Sequence, residues 1–195
     1  MKVNFVKTFI PVKDFVSVEK VGNKMLVRFD AVKDADMDAY SCVEGSVSAS
    51  EYNEQEVRRE YEAWKQKWAE KALVLAKKAK IAEITAYDTS GKVNGFMLNG
   101  LLVWLDKATR VGLMNSTTIA KAAGQQTTTL WLGGIKLVVD CDKAIQLLSA
   151  LEMYALECFN VTASHKQAVS ELTSIEDVEV YDYKKGYPKM LEMSV

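Results

Sequence analysis

The chain has 195 residues, of which 49% are hydrophobic and 26% charged, with a formal net charge of −1. A chain of this length supports one or two small domains with a sizeable core. The balance holds in every segment, with seven acids and seven bases in residues 1–50, eight of each in 51–90, and eleven against ten thereafter, so no basic face points to nucleic acid and none is expected as a partner.

Residues 1–50 read as β structure, with Val3, Phe5, Phe9, Ile10, Val12, Phe15, Val16 and Val18 in short apolar runs. Gly22-Asn23 separates Val16–Val21 from Met25–Phe29 as a hairpin turn. The polar stretch from Lys33 to Gly45 reads as loop, and Val43 to Ser50 as small and flexible, which places a boundary near residue 50.

A long helix follows over 51–90, its regular part Glu54 to Ala86, without Gly or Pro. Its apolar stripe is Val57, Tyr61, Trp64, Trp68, Ala72, Leu75, Ala79, Ala82 and Ala86, close to a heptad seam, so a coiled coil and a homo-oligomer are expected. Residues 51–64 carry five Glu against two Arg, and 65–80 carry six Lys against one Glu. That polarity suits the helix dipole, and it also suits antiparallel pairing of two such helices.

Asp88-Thr-Ser-Gly91 ends the helix, and an α+β module is expected over 91–195. It holds one pattern twice. Phe96-Met-Leu-Asn-Gly-Leu-Leu-Val-Trp-Leu-Asp106 and Leu130-Trp-Leu-Gly-Gly-Ile-Lys-Leu-Val-Val-Asp140 are each an apolar run, a turn, a second apolar run and an Asp. Asn99-Gly100 and Gly133-Gly134 suit the primed turns of tight hairpins. Asp106 and Asp140 are placed to cap the helices that follow. In the first hairpin both alternating sets are apolar, with Phe96, Leu98, Val103 and Leu105 on one face and Met97, Leu102 and Trp104 on the other. Such a hairpin must be covered on both sides, by its own chain or by another. The helix after the second hairpin, about 142–172, is apolar almost all round in its first half and reads as central and buried. Ser174 or Thr173 caps a short helix, and an aromatic arm, Tyr181-Asp-Tyr-Lys-Lys-Gly-Tyr-Pro188, closes the chain.

Candidate chemistry is sparse. Asp34-Ala-Asp-Met-Asp38 begins like a calcium loop but has Ala39 where Gly is needed and Gly45 where a bidentate Glu is needed. A solvated acidic loop is the simpler reading. Cys42, Cys141 and Cys158 match no metal or redox spacing and read as buried thiols. His165 shares a helical face with Cys158, about 10 Å away along the axis and beyond hydrogen-bond reach. It reads as a histidine at the edge of a core seam. Glu152 and Glu157 define no acid/base pair. No phosphate loop, nucleophile elbow or zinc pattern occurs. No catalytic, cofactor or metal residue is therefore assigned, and an enzyme is not expected. The N-terminus lacks a signal-peptide core and no apolar run could span a bilayer, so cytoplasmic synthesis and no membrane contact are expected. The candidate protein interface is Val57, Tyr61, Trp64, Trp68 and Leu75 on the long helix, Met97, Leu102 and Trp104 on the first hairpin, and Tyr181, Tyr183 and Tyr187 on the arm.

Several stretches in the second half carry a resemblance. They are Tyr87-Asp-Thr-Ser with Val93-Asn and Leu98-Asn-Gly100; Trp104-Leu-Asp-Lys-Ala-Thr-Arg110; Thr129-Leu-Trp-Leu-Gly133; Ala150-Leu-Glu-Met-Tyr-Ala-Leu-Glu-Cys-Phe-Asn-Val-Thr162 with His165-Lys166; and Tyr181-Asp-Tyr with Gly186-Tyr-Pro188. Together, over roughly 87–188, they resemble an uncharacterised domain family encoded by bacteriophages and prophages, notably of gut bacteria, near tail-fibre and tail-fibre-assembly genes. The long helix, with Trp64 and Lys71-Ala72, is loosely similar to helices of tail-fibre assembly proteins. The resemblance implies a structural or adaptor protein of the virion tail, at the baseplate or a fibre attachment point, with other tail proteins as partners. The alternative is a tail-fibre assembly chaperone. His165 belongs to the family pattern, which supplies no catalytic residues.

Overall fold

A computed structural model describes residues 2–195 as an α+β chain of two compact units, the first reaching to Ala72 and the second running from Leu73 to Val195. The division falls inside the long helix, so its two parts belong to different units.

In the first unit, β1 (Asn4–Pro11), β2 (Val18–Val21), β3 (Lys24–Asp34) and β4 (Ala39–Ser48) form an antiparallel sheet in the order β1-β4-β3-β2. The expected hairpin at Gly22-Asn23 joins β2 to β3, with Gly22 at φ +58°. The expected loop over 33–50 is corrected, because β4 runs through it as a central strand paired on both sides. Its inward residues are small (Val43, Gly45, Val47), which disguises the alternation in the sequence. Smallness has a purpose at Gly45, where an added Cβ would come within 2.6 Å of the Phe5 ring. The helix α1 (Glu54–Asp88) starts at an Asn53 cap, whose side-chain oxygen accepts from the Glu56 N–H at 3.1 Å. Val57, Tyr61 and Trp64 then pack on Phe5, Val27, Phe29, Val43 and Val47 of the sheet. The Tyr61 ring stacks on Phe29 at 4.1 Å.

In the second unit, β5 (Gly95–Leu98) and β6 (Leu101–Trp104) form the first hairpin and lead into α2 (Lys107–Ala122). The second hairpin, β7 (Thr127–Leu132) and β8 (Ile135–Asp140), leads into α3 (Cys141–Glu171). The turn pairs Asn99-Gly100 and Gly133-Gly134 all take positive φ, as the primed turns require. A short α4 (Ile175–Val180) follows, capped by Ser174, and β9 (Leu191–Met193) pairs parallel with β5 to give the order β6-β5-β9. Phe96, Leu98, Val103 and Leu105 of the first hairpin meet Leu130, Leu132 and Val139 of the second over Ala144, Leu148, Leu151, Tyr154 and Cys158 of α3.

Three expectations are corrected here. Residues 73–88 of α1 pack through Leu73, Ala76, Ile81 and Ile84 on Val169 and Val178, while Leu75, Ala79, Ala82 and Ala86 of the predicted stripe lie exposed. A fixed period fails here because this part of the helix faces different neighbours. The helix α3 is not apolar-buried all round: Met153, Leu156 and Phe159 are exposed. Asp140 holds the cap position of α3, but its carboxylate accepts no capping hydrogen bond.

Candidate functional site

The predicted interface residues divide by what they touch. Val57 and Tyr61 are 1% and 3% exposed and fill the core of the first unit, so they are not free surface. Trp64 packs partly on that core, and Trp68 stacks on it at 5.6 Å with half its surface open and the Lys7 ammonium over its ring. In the second unit, Leu75 is exposed, Met97 is half-buried, and Leu102 and Trp104 are exposed. The first hairpin is thus covered on one face only.

The aromatic arm, expected as a candidate to dock on a neighbour, is engaged within its own unit. His165 Nε2 lies 2.9 Å from the Lys185 carbonyl, which can only accept, so this nitrogen carries the proton. In the neutral ring Nδ1 then accepts from the Tyr181 hydroxyl at 2.9 Å. Tyr187 shares a hydrogen bond with Thr162, whose hydroxyl donates to Asp88 Oδ1 at 2.7 Å. Tyr183 and Tyr187 both meet the Tyr87 ring edge-on. Burial pushes the Tyr181 and Tyr187 hydroxyls above their ordinary pKa. His165 therefore clasps the arm to α3. Cys158, two turns earlier on the same helix, hydrogen-bonds to the Val93 carbonyl beside Tyr154, and burial raises its thiol pKa. A thiol kept protonated is a poor nucleophile.

Of the open side chains, Trp104 lines a cleft of about 410 Å³ in the second unit. Its polar floor is built by the start of α2. Asp106 caps that helix by accepting from the Thr109 hydroxyl and N–H, at 2.6 and 2.8 Å, and these bonds hold its carboxyl below the usual range. One turn on, Arg110 is 8% exposed. Its Nε donates to Glu152 Oε1 at 2.7 Å and its Nη1 to the Leu105 carbonyl at 2.8 Å, tying α2 to α3 and to the end of the hairpin. Asn94 donates from Nδ2 to the Asp88 carbonyl, while its buried Oδ1 has no partner among the described residues. The rim is apolar and open, with Trp104, Leu156 and Phe159 exposed by 42%, 50% and 60%. Of these, Trp104 alone stands out in the sequence as an interface candidate; Leu156 and Phe159 fall in the stretch that reads as buried helix, Glu152 defines no acid/base pair there, and Arg110 carries no local signal. Arg110 and Glu152 are separated by 42 residues, and only the α2–α3 packing brings them together. Among the described residues, no group of three or more His, Cys, Asp or Glu side chains is placed to hold a metal ion, and no helix is long and apolar enough to cross a membrane. The Asp34–Asp38 stretch forms a turn in which Asp34 Oδ1 accepts from the Asp36 and Met37 N–H groups. What the cleft offers is an apolar mouth with a few fixed hydrogen-bonding groups behind it, the usual make-up of a recognition site.

Residues 75–185, more than half of the chain, match the model of a domain of unknown function (DUF4376), and the chain belongs to that family. The match contains the whole cleft and His165. No curated protein and no solved structure matches the chain.

Proposed function

We propose that this DUF4376 protein is a non-enzymatic structural or adaptor component of a bacteriophage tail, in the baseplate or where a fibre attaches, and that it acts through protein–protein contacts in the virion. The observation that carries the contact reading is the distribution of open and engaged groups in the second unit. The polar side chains Arg110, Glu152, Cys158 and His165 are engaged with one another, with Tyr181 or with the backbone. Leu102, Trp104, Leu156 and Phe159 are left open around one hairpin and one cleft. Contiguous exposed apolar side chains with a polar setting are what partner surfaces are made of. The phage setting rests on the resemblance of the motif stretches over 87–188.

Mass spectrometry of purified particles tests the proposal. Presence in fixed ratio to tail proteins supports it. Abundance in the infected-cell lysate with absence from the particle overturns it in favour of a tail-fibre assembly chaperone.

A further inference from the structure

We infer that two copies of this chain join edge to edge through β6, an inference that rests on the protein-contact reading above. β6 is an outer strand of its sheet. In a hairpin closed by a two-residue turn, hydrogen-bonded and non-bonded pairs alternate from the closing pair, here Leu98 with Leu101. Leu101 and Val103 therefore turn their N–H and C=O groups toward β5, and Leu102 and Trp104 turn theirs outward. No backbone group among the described residues meets them there.

Exposed edges are normally guarded by shortness, charge, proline or a bulge, because an open edge recruits another strand. The other edges of this chain follow that rule or carry polar side chains. β1 has Lys7 and Pro11, β2 has Glu19 and Lys20, β8 has Lys136, β9 has Glu192, and β7 opens with Thr127, Thr128 and Thr129. Among the described edge strands β6 alone is wholly apolar, Leu101-Leu-Val-Trp104; its shortness is its one guard, and Leu105 extends the apolar run.

The strand is also complementary to itself. An antiparallel two-fold through Val103 sets Leu102 of each copy opposite Trp104 of the other. Both residues have outward backbone groups, so these meet in reciprocal hydrogen-bonded pairs. Both side chains stand on the open face, 60% and 42% exposed, and they cover each other. At the ends Gly100 falls opposite Asp106, so no like charges meet. This register joins the two three-stranded sheets into one. It also places Leu102 of the second copy beside Trp104, in the wall of the cleft, so the cleft is completed by the neighbour. Isologous contacts of this kind are the commonest way identical chains close an assembly.

Sedimentation equilibrium of the full chain tests this, with hydrogen exchange at the Leu102 and Trp104 amides. The expected mass rises with concentration from 21.8 kDa toward twice that value, and the two amides slow as it does. Leu102→Pro removes an outward donor without touching the β5 ladder, and Leu102→Lys charges the edge. Each is expected to weaken the dimer at least about tenfold. Trp131→Lys, on the exposed face of the second hairpin, leaves it unchanged. A monomer at all concentrations, or a dimer that survives both Leu102 variants, overturns the inference. A monomer found in fixed ratio in particles defeats edge pairing and leaves the proposed function standing, and a β6-paired dimer absent from particles does the reverse.

Discussion

Replacing Arg110 by Met keeps most of the side chain's volume and removes its charge and hydrogen bonds. Two partners then lose a donor. The Leu105 carbonyl is left facing the core beside a methyl group, and an unsatisfied buried acceptor costs about 1–3 kcal/mol. Glu152 loses its counter-ion, but its side chain is 35% exposed, so water recovers part of the loss. The full penalty of about 3–5 kcal/mol for breaking a buried pair does not apply. The expected total is about 2–4 kcal/mol for the second unit. Glu152→Gln keeps an acceptor for Arg110 Nε and is expected to cost only about 1 kcal/mol. Urea unfolding followed by exchange of the α3 core amides reads the second unit alone. With a slope of about 1–3 kcal/mol/M, Arg110→Met moves its midpoint down by about 1–2 M at unchanged slope. A shift equivalent to less than about 0.5 kcal/mol, or a Glu152→Gln cost equal to that of Arg110→Met, refutes the assignment of this pair as the tie between α2, α3 and the hairpin.

Gly45→Ala drives a methyl group to within 2.6 Å of the Phe5 ring and is expected to destabilise the first unit by about 1–3 kcal/mol in thermal unfolding; an unchanged midpoint contradicts the tight packing there. His165→Ala removes both hydrogen bonds of the clasp, and limited trypsin digestion after Lys184 and Lys185 should accelerate severalfold, while an unaltered rate means that the arm is held by its aromatic contacts alone. Asp30 accepts from Lys65 and Tyr61, and these bonds hold its carboxyl below 3.8. Its contribution to the first unit is therefore present above that pH and lost as the pH falls through the folded value. The acid limb of stability should flatten in Asp30→Asn, and an identical acid limb contradicts the linkage.

What was legible in the sequence was whatever a local rule governs. Glycines at positive φ marked both second-half hairpins, Asp106 capped its helix, and the absence of Gly and Pro gave the length of α1. What was hidden depends on neighbours. β4 is a strand because it lies between β1 and β3, and its small residues serve Phe5 rather than a pattern of their own. β9 has only three residues and pairs with a strand far back in the chain, so nothing local announces it. The heptad stripe on α1 was real through Trp64 and then failed, because Leu73, Ile81 and Ile84 answer to α3 and α4. The cleft was visible only through Trp104, since its polar floor joins residues from separate elements. The arm showed its aromatic content but not that His165 and Thr162 would hold it.

Virion proteomics tests whether this protein works by contact within a phage tail. Particles purified to constant composition should contain it in fixed ratio to baseplate or fibre proteins. Its absence from such particles, with the protein abundant in the lysate they came from, would contradict a structural role in the tail.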